Sequence, residues 1–156
     1  VQLAPATYLK DLTRAAEAFR QSPPELVLIG RRHVRSNNSW LHNSQRLVKG
    51  KPRCTLLIHP DDASSRGIAD GATVRLRSRV GEVEVSAEVS ADLMPGVVCL
   101  PHGWGHARAG IRLAVASRHA GVSINDVVDD QHVDALTGTA VLNGTPVEVL
   151  ATAAGP

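Results

Sequence analysis

The chain has 156 residues, 43% of them hydrophobic and 21% charged, enough for one domain with a buried core and too few for several. Its 17 basic and 15 acidic side chains leave a formal charge of +2, and Tyr8, Phe19, Trp40 and Trp104 are its only aromatics; this argues against a general nucleic-acid binder, which needs a strongly basic face and stacking aromatics. No apolar run approaches the roughly 20 residues of a membrane span and Val1 to Arg20 has no signal-peptide layout, so the chain reads as soluble, without a membrane span. Its compartment is not encoded, the cytoplasm being favoured, and a start at Val1 rather than Met suggests an excised fragment.

From Tyr8 to Arg20, Leu9, Leu12, Ala15, Ala16 and Phe19 recur at a helical period with charges on the other face, and Ser22-Pro23-Pro24 ends the pattern. The expected organisation is a leading helix and linker over residues 1–25 and a domain over 26–156. Leu26-Val27-Leu28-Ile29 reads as a strand that ends at Gly30. From Leu26 to Pro60 there is no Asp or Glu, yet Arg31, Arg32, Arg35, Arg46, Lys49, Lys51 and Arg53 occur. A strand delivering a Gly and then a cationic, amide-rich loop can bring backbone N–H groups and guanidinium forks to a polyanionic ligand. In Gly30 to Asn43, Asn37, Asn38 and Ser39 offer donors and acceptors for a heterocycle, and Arg31, Arg32 and Arg35 suit phosphate oxygens. A solvated polar loop is the plain alternative. Ser39 to Val48 is either a short helix or an ordered loop.

A second strand is expected over Cys54 to Ile58, then a helical first turn at Pro60-Asp61-Asp62-Ala63 closed by Gly67. Thr73 to Val89 alternates Val74, Leu76, Val83, Val85, Ala87 and Val89 with charged residues around Gly81, a half-buried hairpin in which Arg75, Arg77 and Arg79 face Glu82, Glu84 and Glu88. Val97 to Leu100 and Pro146 to Ala151 each give one further strand. Short strands, Gly turns and few helices indicate a mainly β, barrel-like domain with peripheral helices. Cys54 and Cys99 lack the spacing of metal ligands or redox pairs and read as small buried hydrophobes.

Two other places could carry chemistry. Pro101-His102-Gly103-Trp104-Gly105-His106 follows a strand, and its glycines let the backbone approach a ligand faced by an indole and two imidazoles. A metal on the His pair is disfavoured, because the glycines oppose a helix and no partner Glu stands beside His102; a structural turn around a packed Trp is the alternative. Asp126, Asp129, Asp130 and Asp134 resemble a calcium loop with the wrong ligand spacing, so Asn and Asp side chains capping turns is the simpler reading. No catalytic or metal-ligating set emerges.

The order of these pieces, with LLIHPDDASSRGIADGATVRLRSRVGEVEVSAEVSADLMPGVVCLPHGWGH and then SINDVVDDQHVDALTG, resembles the C-terminal dinucleotide-binding domain of the molybdopterin oxidoreductases, a family that includes formate dehydrogenases and dimethyl sulfoxide reductase. The resemblance covers Leu26 to Ala151. It implies a six-stranded double-psi β-barrel, aspartate decarboxylase-like, covering molybdopterin guanine dinucleotide in a larger enzyme. The contacts it implies are Arg31, Arg32, His33, Arg35, Asn37, Asn38, Ser39, Trp40, Asn43, His102, Trp104, His106 and Asn125. The molybdenum ligand and any iron–sulfur cluster are expected in other domains or subunits of the parent oxidoreductase, its partners, so this chain alone should be catalytically inert. One departure is Leu142-Asn143, where many members carry an aromatic-Lys pair. A separate small subunit or assembly module is the alternative; a self-processing decarboxylase is opposed by the lack of any Gly-Ser dipeptide. Three consequences are expected. The domain should be a closed barrel; Arg31, Arg32 and Arg35 should be exposed or disordered, with few carboxylate partners; and Asn37, Asn38, His102, Trp104 and Asn125 should line the main pocket, the two loops meeting because one ligand bridges them.

Overall fold

The computed structural model describes residues 3–152; Val1, Gln2 and residues 153–156, assigned by the sequence to the leading helix and the barrel domain, lie outside the described residues. The chain forms a mainly β domain built on one mixed, curled sheet of seven strands. In chain order these are β1 Val27–Arg31, β2 Thr55–Ile58, β3 Thr73–Arg77, β4 Glu82–Val89, β5 Val97–Pro101, β6 Thr145–Pro146 and β7 Glu148–Ala151. Their spatial order is β6-β1-β5-β2-β4-β3-β7. Pairing is parallel for β1 with β5 and for β2 with β4, and antiparallel elsewhere.

Residue pattern explains each element. β3 alternates, burying Val74 and Leu76 fully while Thr73, Arg75 and Arg77 face water. β5 lies between β1 and β2 and is apolar throughout, as a strand covered on both faces requires. Leu28, Leu56, Ile58, Val98 and Leu100 meet Ile124 and Val127 in one core. Helix α1, Ala6–Ala18, buries none of its residues and leaves Leu9 and Leu12 exposed. The undecided stretch resolves into turns followed by the short helix α2, Gln45–Val48. In α3, Pro60–Ser65, Pro60 opens the helix, His59 Nδ1 accepts from the Asp61 N–H at 3.2 Å, and Gly67 ends it at φ +63°.

Two expectations need correction. The strand foreseen over Pro146 to Ala151 is two strands interrupted at Val147, which is buried; β6 pairs with β1 and β7 with β3, so the two outermost strands of the sheet are separated by one residue. The hairpin is real, but its charges do not balance within it. Arg75 alone pairs inside it, with Glu82 and Glu84; Arg77 pairs with Glu148, Arg79 with Asp129 and Glu88 with Lys51.

Arg31 is also not the exposed side chain expected. It is partly buried and turns inward, its guanidinium donating to the carbonyls of Cys99 at 2.8 Å, Thr55 at 2.9 Å and Arg53 at 3.3 Å and to Thr55 Oγ1 at 2.9 Å. Where β5 ends at Pro101, which has no N–H to give, the guanidinium supplies donors from the neighbouring strand. Thr55 Oγ1 in turn donates to Glu88 Oε2 at 2.6 Å, so one network spans β1, β5, β2 and β4. Bonds from a charged donor contribute about 1.5–3 kcal/mol each, and an acceptor left bare costs about 1–3 kcal/mol. Arg31→Ala is therefore expected to destabilise the domain by about 2–4 kcal/mol in urea unfolding, with Arg31→Lys recovering less than half because an ammonium lacks the planar fork.

Candidate functional site

Three loops meet beyond the ends of β1 and β5. Because these strands run parallel with Arg31 opposite Pro101, the loops that follow them leave the sheet side by side. No bridging ligand is needed to bring them together, contrary to the sequence-based expectation. The His102 N–H donates to the Arg31 carbonyl at 3.0 Å. A Cβ on Gly30 would stand 2.2 Å from His102 Nε2, and one on Gly103 would stand 2.3 Å from the Asn38 carbonyl oxygen. Gly103 is therefore required by contact with backbone and by its φ of +87°, whereas a side chain at Gly30 would have to displace the His102 ring.

The loop after β1 turns back through Asn37 and Asn38, at φ +43° and +62°, left-handed values that Asn tolerates better than most side chains. This leaves both amide side chains exposed and without a hydrogen bond among the described residues. Asn43 is committed to structure: its Oδ1 accepts from the N–H groups of Val115 and Ala116. The third segment, Ala116 to Asp126, closes against the second, the Gly105 and His106 N–H groups both donating to the Ala120 carbonyl. Asn125 is exposed there, on a short 3-10 turn anchored by buried Ile124.

Beneath the surface, His42, Trp104 and His106 form a compact cluster, at 2%, 9% and 8% exposure. His42 Nδ1 and His106 Nε2 are 2.8 Å apart, and the His42 ring lies 3.9 Å from the Trp104 ring, centroid to centroid. His42 Nε2 is buried without a hydrogen-bond partner. Burial first, and His106 second, push the His42 imidazole down to about 4, although the nearby Gly103 carbonyl, outside hydrogen-bond geometry, favours the protonated ring. Burial also lowers His106. His102 is lowered by burial and then by the Arg32 charge, and His33 by burial and then by Arg53, Arg35 and Arg31.

Electrostatically the face is unbalanced. Of the seven cations between Leu26 and Pro60, Lys51 alone has a carboxylate partner among the described residues, Glu88. Arg35 donates to the Arg46 carbonyl and Arg53 to those of Leu47 and Lys49, while Arg32 has no partner there. Asp126 and Asp129 pair instead with Arg108 and Arg79, and Asp129 and Asp134 also cap turns, as the simpler reading of that segment had it. Arg32, His33, Arg35, Asn37, Asn38, Ser39 and Trp40 are thus exposed on one loop, with His102 half-buried beside it. Arg31, Trp104 and His106 point into the fold, while Asn43, itself exposed, is tied to the Val115 and Ala116 N–H groups.

The expected main pocket is corrected. A cavity of about 920 Å³ lies at the β6–β7 junction among Leu26, Arg77, Arg79, Val147 and Val149, and none of the nominated residues lines it. Two residues that matter were not nominated. His42 is indistinguishable in sequence from a solvated loop histidine. Asn143, noted only as a departure, accepts the Gly30 N–H on its Oδ1 at 2.8 Å and so fixes the start of the basic loop.

Residues 26–146 match the model of the family described as Molydopterin dinucleotide binding domain. The chain is 41% identical over 81 residues to biotin sulfoxide reductase of Cereibacter sphaeroides, covering 51% of this chain and 11% of that protein. It is 33% identical over 110 residues to the NADPH-Fe(3+) oxidoreductase subunit alpha of Geobacter sulfurreducens, covering 69% and 12%. Among solved structures, acetylene hydratase from Pelobacter acetylenicus superposes with a TM-score of 0.68 at 21% identity, over 92% of this chain and 20% of that one, a likeness of fold. The chain spans about a tenth of the length of these curated relatives.

The buried imidazole gives the domain a predictable acid response. With His42 near 4 when folded and about 6.5 when unfolded, the unfolded ring takes up a proton first as pH falls. Stability from the neutral ring is complete above about pH 6.5 and is lost as pH falls toward 4, about 3 kcal/mol in all. Urea midpoints at pH 7 and pH 4.5 should diverge more for wild type than for His42→Gln; equal shifts would show that His42 does not set the acid response.

Proposed function

The chain belongs to the Molydopterin dinucleotide binding domain family of the molybdopterin oxidoreductases, and from that premise we propose that it holds molybdopterin guanine dinucleotide over the active site of a larger molybdenum enzyme. The observation that carries this is the exposed Arg32 and Arg35, without carboxylate partners among the described residues, beside the free amides of Asn37 and Asn38 and the half-buried His102. The donor set fits the group: guanidinium forks suit pyrophosphate, amides suit the edge of a purine, and Trp40, 83% exposed, suits stacking. Ser39, His33 and Asn125 complete the contacts. Arg31, Asn43, Trp104 and His106 support them from behind.

When bound, the group supplies the molybdenum redox chemistry, and the protein supplies binding and electrostatics. This chain's part is to offset the charge of the phosphates and to shield them from water. The curled sheet, with β6 and β7 taken as one strand bent at Val147, is consistent with the six-stranded double-psi barrel, and the residues from 26 onward form its domain. The molybdenum ligand, any iron–sulfur cluster and the substrate pocket belong to the rest of the enzyme, in keeping with the small share of each relative that is matched.

The test uses guanosine diphosphate as probe, titrated calorimetrically into wild type and into Arg32→Ala/Arg35→Ala. Each lost charge-assisted bond is worth about 1.5–3 kcal/mol, so binding should weaken by at least about tenfold while the unfolding midpoint stays within error. Cytidine diphosphate should bind more weakly than the guanine nucleotide. Equal affinity of wild type and double variant would remove the loop from the site, and no preference between the bases would remove guanine recognition.

A further inference from the structure

The dinucleotide reading leaves one feature unused, the buried bond between His42 and His106. The rings come from different loops, at 2% and 8% exposure, and their nitrogens are 2.8 Å apart. Apart from the bond between the His102 N–H and the Arg31 carbonyl at the strand ends, it is the one hydrogen bond crossing between these loops among the described residues. Trp104 packs against His42, and Gly121 packs against both Trp104 and Cys54, so the pair has little room to move. Burying two imidazoles, one with an unpaired Nε2, is unfavourable unless the bond between them is made. A pair of apolar side chains could slide, whereas this pair is satisfied at one separation only.

We propose that the His42–His106 bond is a positioning strut: it sets the distance between the basic loop and the His102–His106 loop, and so the spacing at which Arg32, Asn38 and His102 meet the dinucleotide, while neither histidine touches it. This rests on the dinucleotide-binding reading. Gly103, beside the His42 ring, abuts the Asn38 backbone, so a change in the length of the strut is transmitted to both surfaces. One ring must donate and the other accept, so a residue that does neither abolishes the strut even where it fills the same volume.

A double-mutant cycle tests it on the full chain, with guanosine diphosphate as probe and backbone amide NMR as a second readout. His42→Leu and His106→Leu should each weaken nucleotide binding about tenfold, the worth of one hydrogen bond, and the double variant should lose no more than either. His106→Gln, which can still donate or accept, should recover most of the loss. In the nucleotide-free protein, the leucine variants should shift the amides of Asn37, Asn38, His102 and Gly103 together, leaving those of β3 and β4 in place. Additive losses, or a His42→Leu protein that binds like wild type, would make His106 a direct contact and overturn the strut. Unchanged loop amides would overturn it whether or not nucleotide binds. Wild type failing to bind nucleotide, with the amides shifting as expected, would refute the dinucleotide reading and leave the strut standing.

Discussion

Because β1 and β5 run parallel with Arg31 opposite Pro101, everything that follows either strand emerges at one end of the sheet and in one direction. An antiparallel pair would have sent the two loops to opposite ends. This register seats the His102 ring over Gly30, makes glycine necessary at position 103, brings the Asn38 backbone against the second loop, and lets Arg31 reach the carbonyls of Cys99 and Thr55. The candidate site is thus a by-product of sheet topology, with side chains supplying the refinements.

The basic loop is held in place without being neutralised. Arg31, Arg35 and Arg53 all donate to backbone carbonyls, which orient a guanidinium through a dipole but carry no net charge. Carboxylate partners would have stabilised the free domain equally well and cancelled the field. The chain instead places its acids elsewhere, on the hairpin and around the β6–β7 cavity, where Glu25, Asp129 and Glu148 pair with Arg66, Arg79 and Arg77. Local folding and long-range potential are therefore served by different acceptors.

Alternation and punctuation made the strands and turns legible: Val74 and Leu76 against Arg75, Pro60 before two acids, Gly67 after them. The family was legible for the same reason, since its pattern is mostly glycines and apolar positions that the backbone demands. What escaped was whatever depends on which strands become neighbours. Nothing local says that Arg31 will find carbonyls from β5 and β2, that His42 will meet a ring from a loop 64 positions away, or that Asn143 will accept from Gly30. Composition marked the cations without acid neighbours, but it could not separate Arg31, used by the fold, from Arg32, left to solvent. The interruption at Val147 escaped because its two flanks look like one continuous strand until each finds a different partner.

That interruption governs how the domain can be made. Leu28 pairs with Thr145, and Val74 with Ala151, so both margins of the sheet stay open until a segment of a few residues, synthesised long after β1, arrives to cover them. On the ribosome the earlier strands wait with bare backbone donors and acceptors, and non-local closure of this kind is slow. The segment after the earliest strand, with no acid and several cations before β2, then has a second use during that interval: like-charged nascent chains repel one another and resist pairing edge to edge. A surface suited to receiving phosphate would in this way also protect the newborn chain from its own copies.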